Sequence, residues 1–240
     1  MTDTPTPPAE KPKKKSVALS GVQAGTTAVC TVGHSGNDLH YRGYDILELA
    51  EKSTFEEVAW LLIYGELPTQ AQLDAYKKKL AGLRSLPPAL KTVLEQIPAH
   101  AHPMDVMRTA VSMLGTLEPE AETRPVEGAR NLADRLIASL GSVLLYWWHF
   151  AHNGRRIEVE IDEKEDDHTV AGHFLHLLHG KKPDELTRHA LDVSLILYAE
   201  HEFNASTFTA RVVAGTLSDF YSCIAGAIGA LRGPKHGGAN

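Results

Sequence analysis

A histidine followed by two glycines, in Gly233-Pro234-Lys235-His236-Gly237-Gly238-Ala239-Asn240, is the arrangement in this chain best suited to chemistry. An imidazole can donate, accept or hold a proton near neutral pH. Glycine lacks a side chain, so a ligand can approach the backbone at Gly237 and Gly238 while the ring acts on it. Pro234 stiffens the approach to that loop. A histidine beside two glycines rarely serves packing, since glycine weakens any regular element.

The second arrangement is Ala199-Glu200-His201-Glu202-Phe203-Asn204-Ala205-Ser206-Thr207. Here a histidine between two acids ends an apolar segment, and Asn204, Ser206 and Thr207 supply hydrogen-bonding groups. His201 lines a pocket on one reading; on the other it is a helix-terminal histidine favoured by the macrodipole. Spacing alone favours the second, and Asn204, Ser206 or Thr207 then supplies the cap of the next helix.

Two further groups read as structural. His173, His176 and His179 fall three apart, close enough on a helix for two to share a metal. The first and third diverge by more than half a turn and no His-Glu-x-x-His pattern exists, so no metal site is expected. His102-Pro103-Met104-Asp105 reads as helix initiation, with Arg108 facing the core or an anion.

Missing motifs narrow the chemistry. There is no Walker loop, no strand-linked Gly-x-Gly-x-x-Gly, no Gly-x-Ser-x-Gly and no Cys-x-x-Cys, which disfavours ATPase, dinucleotide-dehydrogenase, α/β-hydrolase and zinc-ribbon readings. A net charge of −6 argues against non-specific nucleic-acid binding. Two distant cysteines, Cys30 and Cys223, make no disulfide framework and fit a reducing compartment. The longest apolar stretch, Leu136 to Phe150, is too short to span a bilayer. A cytoplasmic protein without membrane contact is expected.

The elements that must hold these residues are mostly helical. Residues 1–15, rich in Pro, Thr and Lys, read as a disordered tail. From Ser16 to Tyr44 frequent glycines punctuate β-like pieces, giving a small hairpin region in which Leu39 to Arg42 is a returning strand. Helical periodicity follows. Asp45 caps a helix through Glu51, Thr54 opens one ending at Gly65, and Thr69 opens one through Leu83. Pro87-Pro88 and Pro103 start two more, through Ile97 and Leu114. A loop over 118–128 leads into a long helix from Ala129 to Ala151. Further helices are expected over Thr169–His179, Asp184–Glu200, Ser206–Gly215 and Ser218–Leu231. The small residues Ala225, Gly226, Ala227, Gly229 and Ala230 predict tight helix packing, with a subunit interface as one setting. An all-α fold of about ten helices results.

The two histidine motifs together resemble the citrate synthase family. Asn37-Asp38-Leu39-His40-Tyr41-Arg42-Gly43-Tyr44-Asp45-Ile46 and His102-Pro103-Met104 are similar to it as well. Lys15 to Val22 and Ser35 to Asp38 look most like its bacterial 2-methylcitrate synthase branch. The likeness runs from about residue 15 to 240 and implies a multi-helical large domain over 16–240. It also implies condensation of an acyl-CoA with oxaloacetate: propionyl-CoA in that branch, acetyl-CoA in citrate synthases proper. By the resemblance, His236 is catalytic, hydrogen-bonding the thioester oxygen as charge gathers there. His201 binds oxaloacetate, Ser206 holds the catalytic imidazole, and Asn204 is a pocket residue. Gly237, Gly238 and Ala239 lie along the CoA. The resemblance implies a homodimer, with CoA entering as part of a substrate and no metal or prosthetic group.

The family's second catalytic histidine, its proton-abstracting carboxylate and its oxaloacetate-binding arginines match positions beyond Asn240. The expectation is therefore an incomplete domain, without the small domain and C-terminal segment, that is inactive alone. The alternatives are citrate synthase using acetyl-CoA, or a non-catalytic fragment that dimerises.

Overall fold

The computed structural model describes residues 25–33, 36, 38–121, 123, 125–162, 164, 166 and 168–239. The expected tail over 1–15, and the words Lys15 to Val22 and Ser35, lie outside them. Among the described residues the chain forms ten helices and one three-stranded antiparallel sheet, as the helical periodicity predicts.

The sheet comprises β1 (Cys30–Val32), β2 (Leu39–Tyr41) and β3 (Tyr44–Asp45) in that order. Leu39 to Arg42 is not all strand, because Arg42 and Gly43 both take left-handed backbone, with φ of 51° and 89°. Two successive positive φ values turn β2 tightly into β3. Arg42 is held there by its guanidinium, which donates to the Leu62 carbonyl at 3.0 Å.

Local capping chemistry fixes the next helices. Asp45 caps α1 (Ile46–Lys52), and capping boxes open α2 (Phe55–Tyr64) and α3 (Gln70–Ala81). Proline at the first turn opens α4 (Pro88–Gln96) and α5 (Pro103–Leu117). The long α6 (Val126–Asn153) begins three residues earlier than expected. Its N-cap is Pro125, at a position where a missing N–H breaks no helical bond. α7 (Val170–His179) ends on left-handed Gly180, and α8 (Glu185–Leu197), α9 (Ala205–Gly215) and α10 (Phe220–Leu231) follow.

The main core surrounds α6. Leu90 and Leu94 of α4, Val106, Val111 and Leu114 of α5, Val143 and Trp147 of α6, and Tyr221 of α10 are buried together. A smaller core joins Cys30 and Tyr41 of the sheet to Leu49, Val58, Leu61 and Ile196.

α10 lies between α5 and α9, and its small residues make that possible. A Cβ built on Gly226 would sit 3.4 Å from Val213 Cγ2 of α9, and one on Gly229 3.8 Å from Arg108 Cδ of α5. On the α5 side, a Cβ on Gly115 would come within 2.8 Å of Tyr221 Cβ. The tight packing predicted from Ala225 to Ala230 thus occurs within one chain.

Candidate active site

α10 carries the His236 loop. Beyond its C-cap, Arg232, the chain makes consecutive tight turns: the Gly233 carbonyl accepts from His236 N–H at 3.0 Å and from Gly238 N–H at 3.3 Å. Here the glycines have a purpose the sequence reading did not supply. A Cβ on Gly237 would collide with the Leu231 carbonyl oxygen, and one on Gly238 would stand 2.8 Å from that of Pro234. Neither glycine has positive φ. The absent side chains let the loop fold back onto the end of its own helix.

The turns bring His236 to α9. Its Nε2 lies 2.7 Å from Ser206 Oγ, joining two residues thirty apart in sequence. When the serine hydroxyl donates, the imidazole proton resides on Nδ1, which leaves an N–H to offer a ligand oxygen. Ser206 is placed by the N-terminus of α9, whose cap is Asn204. The Asn204 side-chain oxygen accepts from Thr207 N–H at 2.9 Å. Of the residues that could cap this helix, Asn204 does so, and Ser206 is left to the histidine.

His201 lies in the α8–α9 connection with its side chain exposed. α8 stops at Leu197, short of the Glu200 expected, for a tertiary reason. Buried Tyr41 donates its hydroxyl to the Ile196 carbonyl at 3.0 Å and accepts Glu200 N–H at 3.2 Å, tying the sheet to the end of α8. Burial raises the Glu200 carboxyl above its ordinary range, while the backbone N–H groups of Glu202 and His201 pull it back. Glu202 completes the bend with φ of 54°. Phe203 stacks beneath Arg211, whose guanidinium carbon is 4.9 Å from the ring centre.

The two loops and the start of α5 border one cleft of about 470 Å³. Its walls include His102, Met104, Tyr198, Arg232, Gly237 and Gly238. His201 and His236 themselves are not wall residues; their loops reach the cleft through Tyr198 and through the diglycine. His102 was expected to start a helix, and it does, with Nδ1 accepting Met104 N–H at 3.2 Å. That bond keeps Nδ1 unprotonated, so the ring can offer only Nε2–H. Its position on the cleft wall was not legible, and neither was that of Tyr198 or Arg232. Arg232 pairs with Asp105 of α5 at 3.3 Å, linking the base of the His236 loop to the turn that His102 caps. Arg108 pairs with Asp105 as well, at 3.1 Å.

Of the three histidines on α7, His173 has a structural role. His173 is buried and its Nε2 bonds the Val159 carbonyl at 2.8 Å. Burial pushes its pKa down to about 4, so it is neutral at physiological pH. Among the described residues no group of three or more His, Cys, Asp or Glu is placed to hold a metal.

The family described as "Citrate synthase, C-terminal domain" matches residues 18–240. The chain belongs to the citrate synthase family. It is 61% identical to a 2-methylcitrate synthase of Shewanella oneidensis over 95% of this chain and 59% of that protein. A citrate synthase of Deinococcus radiodurans is 40% identical over 92% of this chain and 58% of that protein. Among solved structures, the citrate synthase of Thermotoga maritima superposes with a TM-score of 0.79 at 38% identity, covering 93% of this chain and 57% of that one. The Thermoplasma acidophilum citrate synthase, solved with carboxymethyl coenzyme A and oxaloacetate, superposes with a TM-score of 0.82 at 28% identity. The chain therefore spans somewhat over half the length of these relatives.

Proposed function

We propose that this chain supplies the large-domain half of an acyl-CoA:oxaloacetate condensing site, with propionyl-CoA as the acyl donor. The 2.7 Å contact between Ser206 Oγ and His236 Nε2 carries the reading. It fixes one ring nitrogen and leaves the other to act on a ligand. The chemistry requires a proton to leave the carbon beside a thioester, and the resulting enolate oxygen needs a donor already in place. His236 is that donor. His201 and Asn204 serve the oxaloacetate side, and Gly237, Gly238 and Ala239 the CoA side. The likeness to a 2-methylcitrate synthase at 61% identity supports propionyl-CoA over acetyl-CoA. CoA arrives as part of a substrate, and the reaction as proposed uses no metal or prosthetic group.

These residues span 59% of the length of the Shewanella oneidensis relative, and on their own they are proposed to be inactive. Self-association is proposed through α9, which buries none of its residues and exposes Phe208 and Val212. The compartment proposed is the cytoplasm; no helix among the described residues is long and apolar enough to cross a membrane.

The test is a CoA-release assay with oxaloacetate and either propionyl-CoA or acetyl-CoA. It is run on the chain alone and on the chain fused to the remaining portion of the Shewanella oneidensis relative. The fusion should condense propionyl-CoA preferentially and lose that activity on His236→Ala. Condensation by the chain alone would refute the inactive reading. A fusion indifferent to His236→Ala would refute the role of the imidazole.

A further inference from the structure

A carboxyl group with no part in the proposed chemistry is buried where α2, α7 and α8 meet. Glu56, in the first turn of α2, has no exposed surface. One oxygen, Oε1, accepts Val170 N–H at 2.7 Å, at the start of α7. The other, Oε2, is buried without a hydrogen-bond partner. Next to it on α8, Asp192 is also buried, and both its oxygens accept Phe55 N–H at 3.3 Å. Two buried acids thus bind three helix segments through backbone N–H groups.

The charges facing Glu56 are unequal. Asp192 from α8 disfavours a second negative charge, whereas Lys77 from α3 and the Val170 N–H from α7 favour it. Tyr76 of α3 also faces it, as a neutral phenol. An ionised carboxylate would leave Oε2 charged, dry and unbonded, the costlier of the two states.

We infer that Glu56 is held as a neutral acid that joins α2 to α7, beside the Asp192 link between α2 and α8, and that its ionisation in mildly alkaline solution loosens this joint. Phe55 and Val170, whose N–H groups the two acids hold, also line an apolar cleft of about 270 Å³ with Leu191 and Leu195. The joint therefore borders that cleft.

The geometry agrees with a carboxyl raised by burial to about 7. The sign follows. Folding favours the protonated form, so the contribution is fully present below the unfolded value near 4.5 and is lost as pH rises through about 7. Between about pH 5.5 and 8.5 this group alone lowers the folding constant about 30-fold, or about 4–8 °C in Tm.

The experiment compares thermal melts of the chain and of Glu56→Gln at both pH values. The difference between the two proteins isolates Glu56 from the other titrating groups. The expected result is a difference that moves by that amount in favour of Glu56→Gln at the higher pH. An unchanged difference would overturn the inference. If Glu56→Gln does not fold, carboxyl NMR of the glutamate-labelled chain decides instead. One glutamate titrating near neutrality, and persisting in Glu200→Gln, supports the inference; only ordinary carboxyl titrations would overturn it.

Discussion

Gly115 and Gly215 both lie in helices, and alanine should act oppositely at the two. In a helix alanine is better than glycine by up to about 1 kcal/mol, less at the ends. Nothing lies within 4 Å of a Cβ on Gly215, so that gain should appear undiminished by contact. At Gly115 the new Cβ meets Tyr221 Cβ at 2.8 Å and Cγ at 3.1 Å. Tyr221 has no easy retreat: it is 1% exposed, and its hydroxyl donates to Glu118 at 3.3 Å. The contact is at the root of that side chain, so α5 and α10 must separate. Overpacking of this kind costs about 1–3 kcal/mol. The propensity gain is smaller at Gly215, the last residue of α9, than at Gly115 inside α5, so the gap between the variants is the steric cost less that difference, up to about 12 °C in Tm at this chain length. Thermal melts followed by far-UV circular dichroism measure it. Gly115→Ala melting at or above Gly215→Ala would refute the packing of α10 against α5. Because α10 carries the His236 loop, the same displacement should disturb the Ser206 contact, visible in the ring nitrogen signals of His236.

The remaining predictions concern single contacts. Ser206→Ala should change stability by no more than about 1.5 kcal/mol. It should also alter the tautomer signature of His236 in histidine ring NMR; an unchanged spectrum would show that the 2.7 Å contact does not govern the ring. His173 is buried neutral, so its contribution is present above the ordinary histidine value near 6.5 and is lost as pH falls toward about 4. That loss amounts to about 3 kcal/mol when complete. His173→Gln should flatten the acid limb of the stability profile, and a limb as steep as in the parent would reject this assignment. Tyr76→Phe removes a 2.8 Å hydrogen bond to the fully buried Asp134. Asp134 keeps Lys79 at 2.7 Å and Tyr64 at 3.2 Å. Denaturant unfolding should show a loss of about 1–3 kcal/mol, and no loss would mean that the remaining partners suffice.

Local chemistry made much of this protein readable from sequence alone. Helix starts follow from a few atoms: Thr54 and Glu57 close a capping box within one turn, and Pro103 fits a first turn wherever it stands. The helical class, the order of the elements and the two histidine-bearing segments depend on such short-range preferences and on apolar periodicity. What depended on distant atoms stayed hidden. α8 ends at Leu197 because Tyr41, more than 150 positions earlier, captures the Ile196 carbonyl and Glu200 N–H. Gly237 must lack a Cβ because the Leu231 carbonyl occupies that space once the loop closes. Glu56 reads as one more acid in a helix's first turn until α7 and α8 exclude water from it. Spacing could mark His236 as a candidate for chemistry and Ser206 as one of a polar cluster, but it could not pair them. Only folding α9 against α10 brought them within 2.7 Å, because side-chain contact is decided by packing and not by separation along the chain.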